Sequence, residues 1–503
     1  MVRDSKDNTW ALLLAVLALL LLAFTLMVGY VLFKDGHFTS DAFNDFTVIR
    51  NFSKTLIPYE GPSFEYMLGN HGYFMMFALA PLVGFFDSPY VLSVACVCTH
   101  FLTSFLIFIT AEKVLRHKSS RAISAGLAFL YLFYPSVATG YFYDSYMFQP
   151  DCFLAPLLML FFYSYLSRNW VLYTFAGCAI LLTKEEYIPL MPFFCLGILM
   201  AAHWIEEDIG LKSPSESKTN FWARITNKPF LASFAIFVLI SAVSVSVVMH
   251  YRALNVVNFA VRERYYVGLL LLPKTYIDTL VEAFRYIVPF SPILVLSVFL
   301  IKRPVALLFL SASLLIPACR LLLNQFVYGN PIGTPWGNTF IAPALFIFII
   351  CLTSIMLTAS DNLRSSCLLG GALILALVIS AALSSTTSTG KYFIAFARGN
   401  LNIQYGMSQA DIKKIKAVIP QAKKGSYFIT EEFLMGPFMD RSFVSTGFLV
   451  RKSDQMRLKL LRQCDFVLLR KNGPFIAEYL SMNSGLSEML STDDYVVFRC
   501  AGD

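Results

Sequence analysis

The chain has 503 residues, of which 57% are hydrophobic and 14% charged, and its mean hydropathy is +0.63. Apolar stretches long enough to cross a bilayer recur along most of it, so the class is a multipass α-helical membrane protein. The net charge of +8 lies in short basic connections between those stretches, where it sets orientation in the membrane, and this excludes a nucleic-acid-binding protein.

In chain order, the first apolar run (10–33) has no small-residue cleavage pattern at its end and exceeds a signal-peptide core, so it reads as a retained signal anchor. A polar, acid-bearing outer loop follows at 34–88, with Asp41 and Asp45 early in it. Within that loop the stretch 73–86 is short, carries Pro81 and Gly84, and is expected to lie as an interfacial or re-entrant helix. Further spans are expected at 89–111, 122–142, 187–205, 229–249, 336–360 and 367–383, with shorter candidates at 152–167, 169–183, 286–301 and 304–322. That makes about eleven crossings by length.

Leaving 73–86 out of the count puts the basic cluster Lys113, Arg116, Lys118 and Arg121 on the same side as Arg3 and Lys6. Parity and the positive-inside rule then agree on a cytoplasmic N-terminus. The Asp41 loop, the 141–151 loop, residues 184–186, the 251–285 segment and the tail after Ser384 fall outside, in a protein of the cytoplasmic membrane.

The tail differs in composition. A transmembrane part, 1–390, is expected to give way to a small extracytoplasmic α/β domain, 391–503, after a Ser/Thr linker at 384–389. Strands are expected at 426–430, 466–469 and 495–499, and helices at 408–420 and 453–463. Cys464 and Cys500 both lie there, and an oxidising compartment would allow them to pair, although spacing leaves their geometry open. Most other cysteines, among them Cys96, Cys178, Cys195 and Cys351, fall inside apolar runs without metal-type spacing and read as small core residues.

Four polar clusters share the deduced outer side: Asp41 with Asp45, Asn70 with His71, Asp144 with Gln149 and Asp151, and Lys184 with Glu185 and Glu186. Ionisable groups at a membrane edge are costly unless they face a cavity or one another, so this convergence marks a candidate site. Each cluster also has a plainer reading. Asp41 fits a helix cap, His71 an interface histidine, Asp144 and Asp151 a solvated aromatic loop, and Lys184 a structural pair with a carboxylate. Three consecutive charges between two apolar segments, at 184–186, are the hardest to explain as solvated loop.

The order of these motifs resembles a multipass membrane family, domain of unknown function 2079. The resemblance is carried by Asp41 followed by Arg50-Asn51-Phe52, by Asn70-His71-Gly72-Tyr73, by Phe148-Gln149-Pro150-Asp151, and by Thr183-Lys184-Glu185-Glu186. Two positions depart from the family pattern: Gln149 stands where histidine is usual, and Trp336-Gly337-Asn338 lacks a histidine–tyrosine pair. The family is similar to the GT-C superfamily of glycosyltransferases, whose members use a lipid-phosphate-linked sugar and place a carboxylate in the first outer loop.

That likeness implies an inverting, general-base glycosyltransferase taking a sugar from a polyprenyl-phosphate donor to a glycan, lipid or protein acceptor. Asp41 would be the base, with Asp45 as its alternate, and Lys184 and Arg320 would meet the donor lipid phosphate. His71, Asp144, Gln149, Asp151, Glu185 and Glu186 would line or position the acceptor. No glycine-rich nucleotide loop precedes a helix, which disfavours a nucleotide-sugar donor. No cofactor is read from the sequence, and a divalent metal stays an open option. A lipid or solute transporter, or an inactive scaffold on the same fold, are the alternatives.

Overall fold

The computed structural model describes residues 5–34, 40–61, 65–70, 72–115, 120–133, 137, 148–208, 224–254, isolated positions between 343 and 379, 407, 409–419, 427–431, 434, 438, 442–446, 454–473 and 487–500. The expected spans 286–301 and 304–322, Arg320, Trp336-Gly337-Asn338 and the 384–389 linker lie outside them.

Among the described residues, three helices are long and apolar enough to cross a membrane: within α1 (Ser5–Lys34), α5 (Tyr90–Leu115) and α10 (Lys228–Leu254). Between α5 and α10 run four shorter apolar helices, α6 (Ser120–Phe133), α7 (Leu154–Leu166), α8 (Trp170–Thr183) and α9 (Met191–Asp208). All follow the apolar runs read from the sequence. Their inward faces form one core, which Phe346, Ile349 and Ile350 of the expected 336–360 span also enter. Leu12, Leu19, Val171 and Leu239 are exposed, as expected of side chains that meet lipid tails.

Helices α7 and α8 form an antiparallel hairpin of 13 and 14 residues. The turn is tight: Arg168 takes a left-handed φ of 54°, and Asn169 caps α8 by accepting from the Leu172 N–H at 3.1 Å. Near-equal arms return the chain to the level at which it entered, so the residues before α7 and after α8 meet. The hairpin packs through aromatic rings, with Phe161 stacked on Tyr173 at 4.1 Å between centroids.

Gly177 lets α10 settle against α8: a Cβ there would stand 2.5 Å from Phe237 Cε1 and 2.9 Å from Met191 Cε. Gly177→Ala should therefore overpack this contact and cost about 1–3 kcal/mol, read as a lowered melting temperature of the purified protein. A melting temperature equal to wild type would show that the ring yields freely.

The segment expected as an outer loop is more ordered than the sequence suggested. Helix α2 (Ser40–Thr55) occupies its start, followed by the hairpin β1 (Tyr59–Gly61) and β2 (Glu65–Tyr66), the one-turn helix α3 (Met67–Asn70), a 3-10 helix (Phe74–Leu79) and α4 (Ala80–Phe86). Phe46, Val48 and Ile49 of α2 bury against Met76, Leu79, Ala80 and Val83, so tertiary contact stabilises a helix of modest apolar content. Two of the three Arg50 guanidinium nitrogens meet Asp87, Nε 2.6 Å from Oδ1 and Nη2 2.7 Å from Oδ2, where Asp87 closes α4 in a left-handed conformation. Leu82, Phe85 and Phe86 stay exposed on the opposite face of α4.

The C-terminal part is a five-stranded sheet in the order β4-β3-β5-β7-β6. Strands β3 (Tyr427–Thr430), β4 (Ser442–Ser445) and β5 (Cys464–Arg470) run parallel, while β7 (Tyr495–Arg499) is antiparallel to β5 and to β6 (Ser487–Ser491). Helices α11 (Gln409–Val418) and α12 (Asp454–Gln463) accompany it. Cys464 and Cys500 are joined as a disulfide, with Cα atoms 5.8 Å apart. The expected strands and helices are present. The two strands that the sequence did not mark, β4 and β6, are the sheet edges: β4 is four residues long, and β6 has no buried side.

At the end of β3, buried Glu431 accepts the Arg470 N–H at 2.9 Å. Burial pushes its carboxyl above the usual range, opposed by that hydrogen bond and by the Arg470 guanidinium. Because the folded value is raised, the favourable contribution is complete below the ordinary carboxyl value of 4.5 and is lost as pH rises through the folded one. Glu431→Gln keeps an acceptor for the amide without the charge, whereas Glu431→Ala leaves the N–H orphaned at a cost of about 1–3 kcal/mol. Melting curves from acid to neutral pH should show the alanine variant least stable, with the glutamine variant gaining on wild type as pH rises.

Candidate functional site

Asp151 and Lys184 are brought together by the α7/α8 hairpin. Asp151 sits in the 3-10 turn Pro150–Phe153 that leads into α7, and Lys184 follows α8 with extended backbone, φ −163° and ψ 144°. Lys184 Nζ lies 3.5 Å from Asp151 Oδ2, with side-chain exposures of 2% and 0%. The next turn, Glu185–Tyr187, is a 3-10 helix that carries the Tyr187 hydroxyl back to donate to Asp151 Oδ1. One carboxylate thus serves two neighbours from a single chain reversal.

The first polar segment closes over this pair. The Lys184 ammonium stands 5.7 Å from the centre of the Tyr73 ring, and the Gly72 N–H donates to Glu185 Oε2 at 2.7 Å. Gly72 suits this close approach, since a Cβ there would come within 3.2 Å of Val248 Cγ2 and 3.3 Å of Glu185 Oε2. From α10, Arg252 Nε donates to the Gly69 carbonyl at 3.4 Å. Burial raises the Tyr73 phenol well above its ordinary range; Lys184 opposes this, while Asp151, Glu185 and Asp45 add to it. Tyr73 therefore stays protonated at neutral pH, surrounded by three carboxylates and one ammonium.

Asp45 is buried on α2 and enters this group through Tyr73. Asp41 belongs to the same helix, one turn before Asp45, but its side chain lies outside the described residues. The side chains of Asn70 and Glu186, and all of His71, Asp144 and Arg320, are likewise outside them. Gln149 is buried immediately before the Asp151 turn. Of the ten candidates named from sequence, the structure brings Asp45, Asp151, Lys184 and Glu185 into one neighbourhood.

Two details differ from the sequence reading. Lys184 pairs with distant Asp151, and the 3-10 turn sends Glu185 to the Gly72 amide. Asp151 is fully enclosed instead of solvated in an aromatic loop. Tyr73 and Tyr187 were missed as site residues, although each directly adjoins a polar motif and a buried tyrosine hydroxyl seeks a partner. Arg252 and Gly72 carry no comparable signal. Among the described residues no three histidine, cysteine or carboxylate side chains form a metal-ligating group.

This cluster of buried charges sets an ammonium beside carboxylates, the group types that displacement from a phosphate leaving group calls on: a cation for the phosphate and an acceptor for a proton.

The fold is similar to that of the crystal structure of ArnT from Cupriavidus metallidurans bound to undecaprenyl phosphate, with a TM-score of 0.56, 11% sequence identity and 98% of each chain covered. At that identity the likeness concerns the fold, which is GT-C-like. No curated protein matches the chain. Residues 46–251 match the family model "Predicted membrane protein (DUF2079)", and these residues contain α5 to α9, most of α10, Asp151, Lys184 and the Gly72–Glu185 contact. Over that segment the chain is similar to the DUF2079 family of membrane proteins.

Proposed function

We propose that the protein is a membrane glycosyltransferase that moves a sugar from a polyprenyl-phosphate donor to an extracytoplasmic acceptor. The observation that carries this reading is the Lys184 ammonium enclosed between Asp151 and the Tyr73 ring, in a fold shared along its length with a protein crystallised with undecaprenyl phosphate. A buried ion pair is weak evidence for stability, since desolvating both charges offsets much of their attraction. Its placement beside Asp45 and Glu185 suits a charged substrate.

In this reading the N-terminus is cytoplasmic, and residues 1–390 hold the chamber beneath an extracytoplasmic domain, 391–503. Lys184, helped by Arg320, meets the phosphate as it departs. Asp41 takes the proton of the acceptor hydroxyl, with Asp45 as the alternate base. His71, Asp144, Gln149, Asp151, Glu185 and Glu186 shape the acceptor side. Mass spectrometry of lipid-linked sugars in a deletion strain tests it: a polyprenyl-phosphate sugar should accumulate while one surface glycan loses a residue. Unchanged lipid-linked sugars and glycans, with altered uptake or export of a lipid instead, would favour a transporter.

A further inference from the structure

Asp151 divides its carboxylate between a hydroxyl and an ammonium, and the division is uneven. The Tyr187 hydroxyl donates a hydrogen bond to Oδ1, whereas Lys184 Nζ stands at 3.5 Å from Oδ2. A charge-assisted N–H···O contact ordinarily closes to about 2.7–2.9 Å. Both acidic oxygens and both donors are almost wholly enclosed, so water does not screen the competition. Tyr187 is itself buried, and its turn is locked by its N–H donating to the Lys184 carbonyl at 3.1 Å. The phenol and the ammonium therefore reach Asp151 from a single rigid turn.

We infer that Tyr187 is a positioning residue that holds Asp151 back from Lys184, keeping the ammonium over the Tyr73 ring and ready for an anionic phosphate ester. This rests on the proposed role of Lys184 as the phosphate partner, and it adds what sets the strength of that partner. A lysine fully closed onto a buried aspartate would have to break a strong pair before meeting a ligand. The Tyr187 hydrogen bond instead draws the carboxylate's charge toward Oδ1 and leaves Oδ2 a loose counter-ion. Full removal of the carboxylate is not needed, because Asp151 still offsets the cost of burying the ammonium.

Tyr187→Phe takes away one hydroxyl and leaves the ring in the core. Asp151 should then close on Lys184, and binding of farnesyl phosphate, a short polyprenyl phosphate, to the detergent-purified full chain should weaken by about tenfold, the equivalent of one charge-assisted hydrogen bond. In an Asp151→Asn background the same substitution should change affinity less than twofold, because no charge remains to be held back. The double-mutant cycle thus separates positioning from structure, since a purely structural tyrosine lowers binding equally in both backgrounds. Equal losses in the two backgrounds, or wild-type affinity in Tyr187→Phe, would overturn the inference. Should Tyr187→Phe alone fail to fold, the fall in farnesyl phosphate affinity of Tyr187→Trp against Tyr187→His, compared in both backgrounds, reads the same coupling, and its absence overturns the inference. If Lys184→Met/Asp151→Asn also binds farnesyl phosphate as wild type does, the phosphate role of Lys184 fails first. If that variant loses binding while the cycle shows no coupling, only the role of Tyr187 fails.

Discussion

Lys184→Met is expected to lower stability by about 3–5 kcal/mol, because it leaves the fully enclosed Asp151 carboxylate without its cation. The Tyr187 hydroxyl continues to donate to Oδ1, which softens the loss but does not neutralise the charge. Adding Asp151→Asn removes that charge at nearly constant volume and should return most of the melting temperature. Adding Glu185→Gln to Lys184→Met should not, since Glu185 is engaged with the Gly72 amide. Thermal melts of the purified variants in detergent decide the matter. A rescue by Glu185→Gln and none by Asp151→Asn would mean that Lys184 is balanced by its sequence neighbour.

The second large effect concerns the carboxylates of α2. Asp41→Asn keeps size and hydrogen bonding but removes the capacity to take a proton, so the rate of sugar transfer should fall by about 10²–10⁴-fold with expression unchanged. Asp45→Asn should act differently. Asp45 is buried, so its loss should lower stability as well as rate. Turnover of the lipid-linked sugar that accumulates in the deletion strain provides the assay. Full activity in Asp41→Asn with a collapse in Asp45→Asn would transfer the role of base one turn along the helix, and full activity in both would end the transferase reading.

Much of this arrangement was legible in the sequence because the membrane simplifies the code. The runs at 89–111, 152–167, 169–183 and 229–249 each became a helix within a few residues of their apolar limits. Lys184 stood out because three charges in a row, between apolar segments, have no loop to solvate them. Its partner was not legible. Asp151 and Lys184 are separated by an entire helical hairpin, and only the matched lengths of α7 and α8 bring them together. Helix α2 was read as loop because its stabilisation comes from Met76, Leu79 and Val83, which follow it in the chain. Strands β4 and β6 escaped for a related reason, since a short edge strand need not alternate apolar with polar residues.

The pairing of Cys464 with Cys500 shows the same limit in another form. Residue type and an extracytoplasmic assignment made a bridge chemically reasonable, but the 36-residue separation says nothing of distance. The β5–β7 ladder, which sets Phe466 opposite Arg499, brings the start of one strand beside the end of the other and so places the two sulfurs together.

The central claim is that the Lys184 chamber binds a polyprenyl phosphate, and native mass spectrometry of the purified full chain tests it most directly. Wild-type protein titrated with polyprenyl phosphate should retain one lipid at a concentration where Lys184→Met/Asp151→Asn, whose fold the paired substitution is expected to preserve, retains none. Equal retention by the two proteins, or none by wild type, would contradict the account.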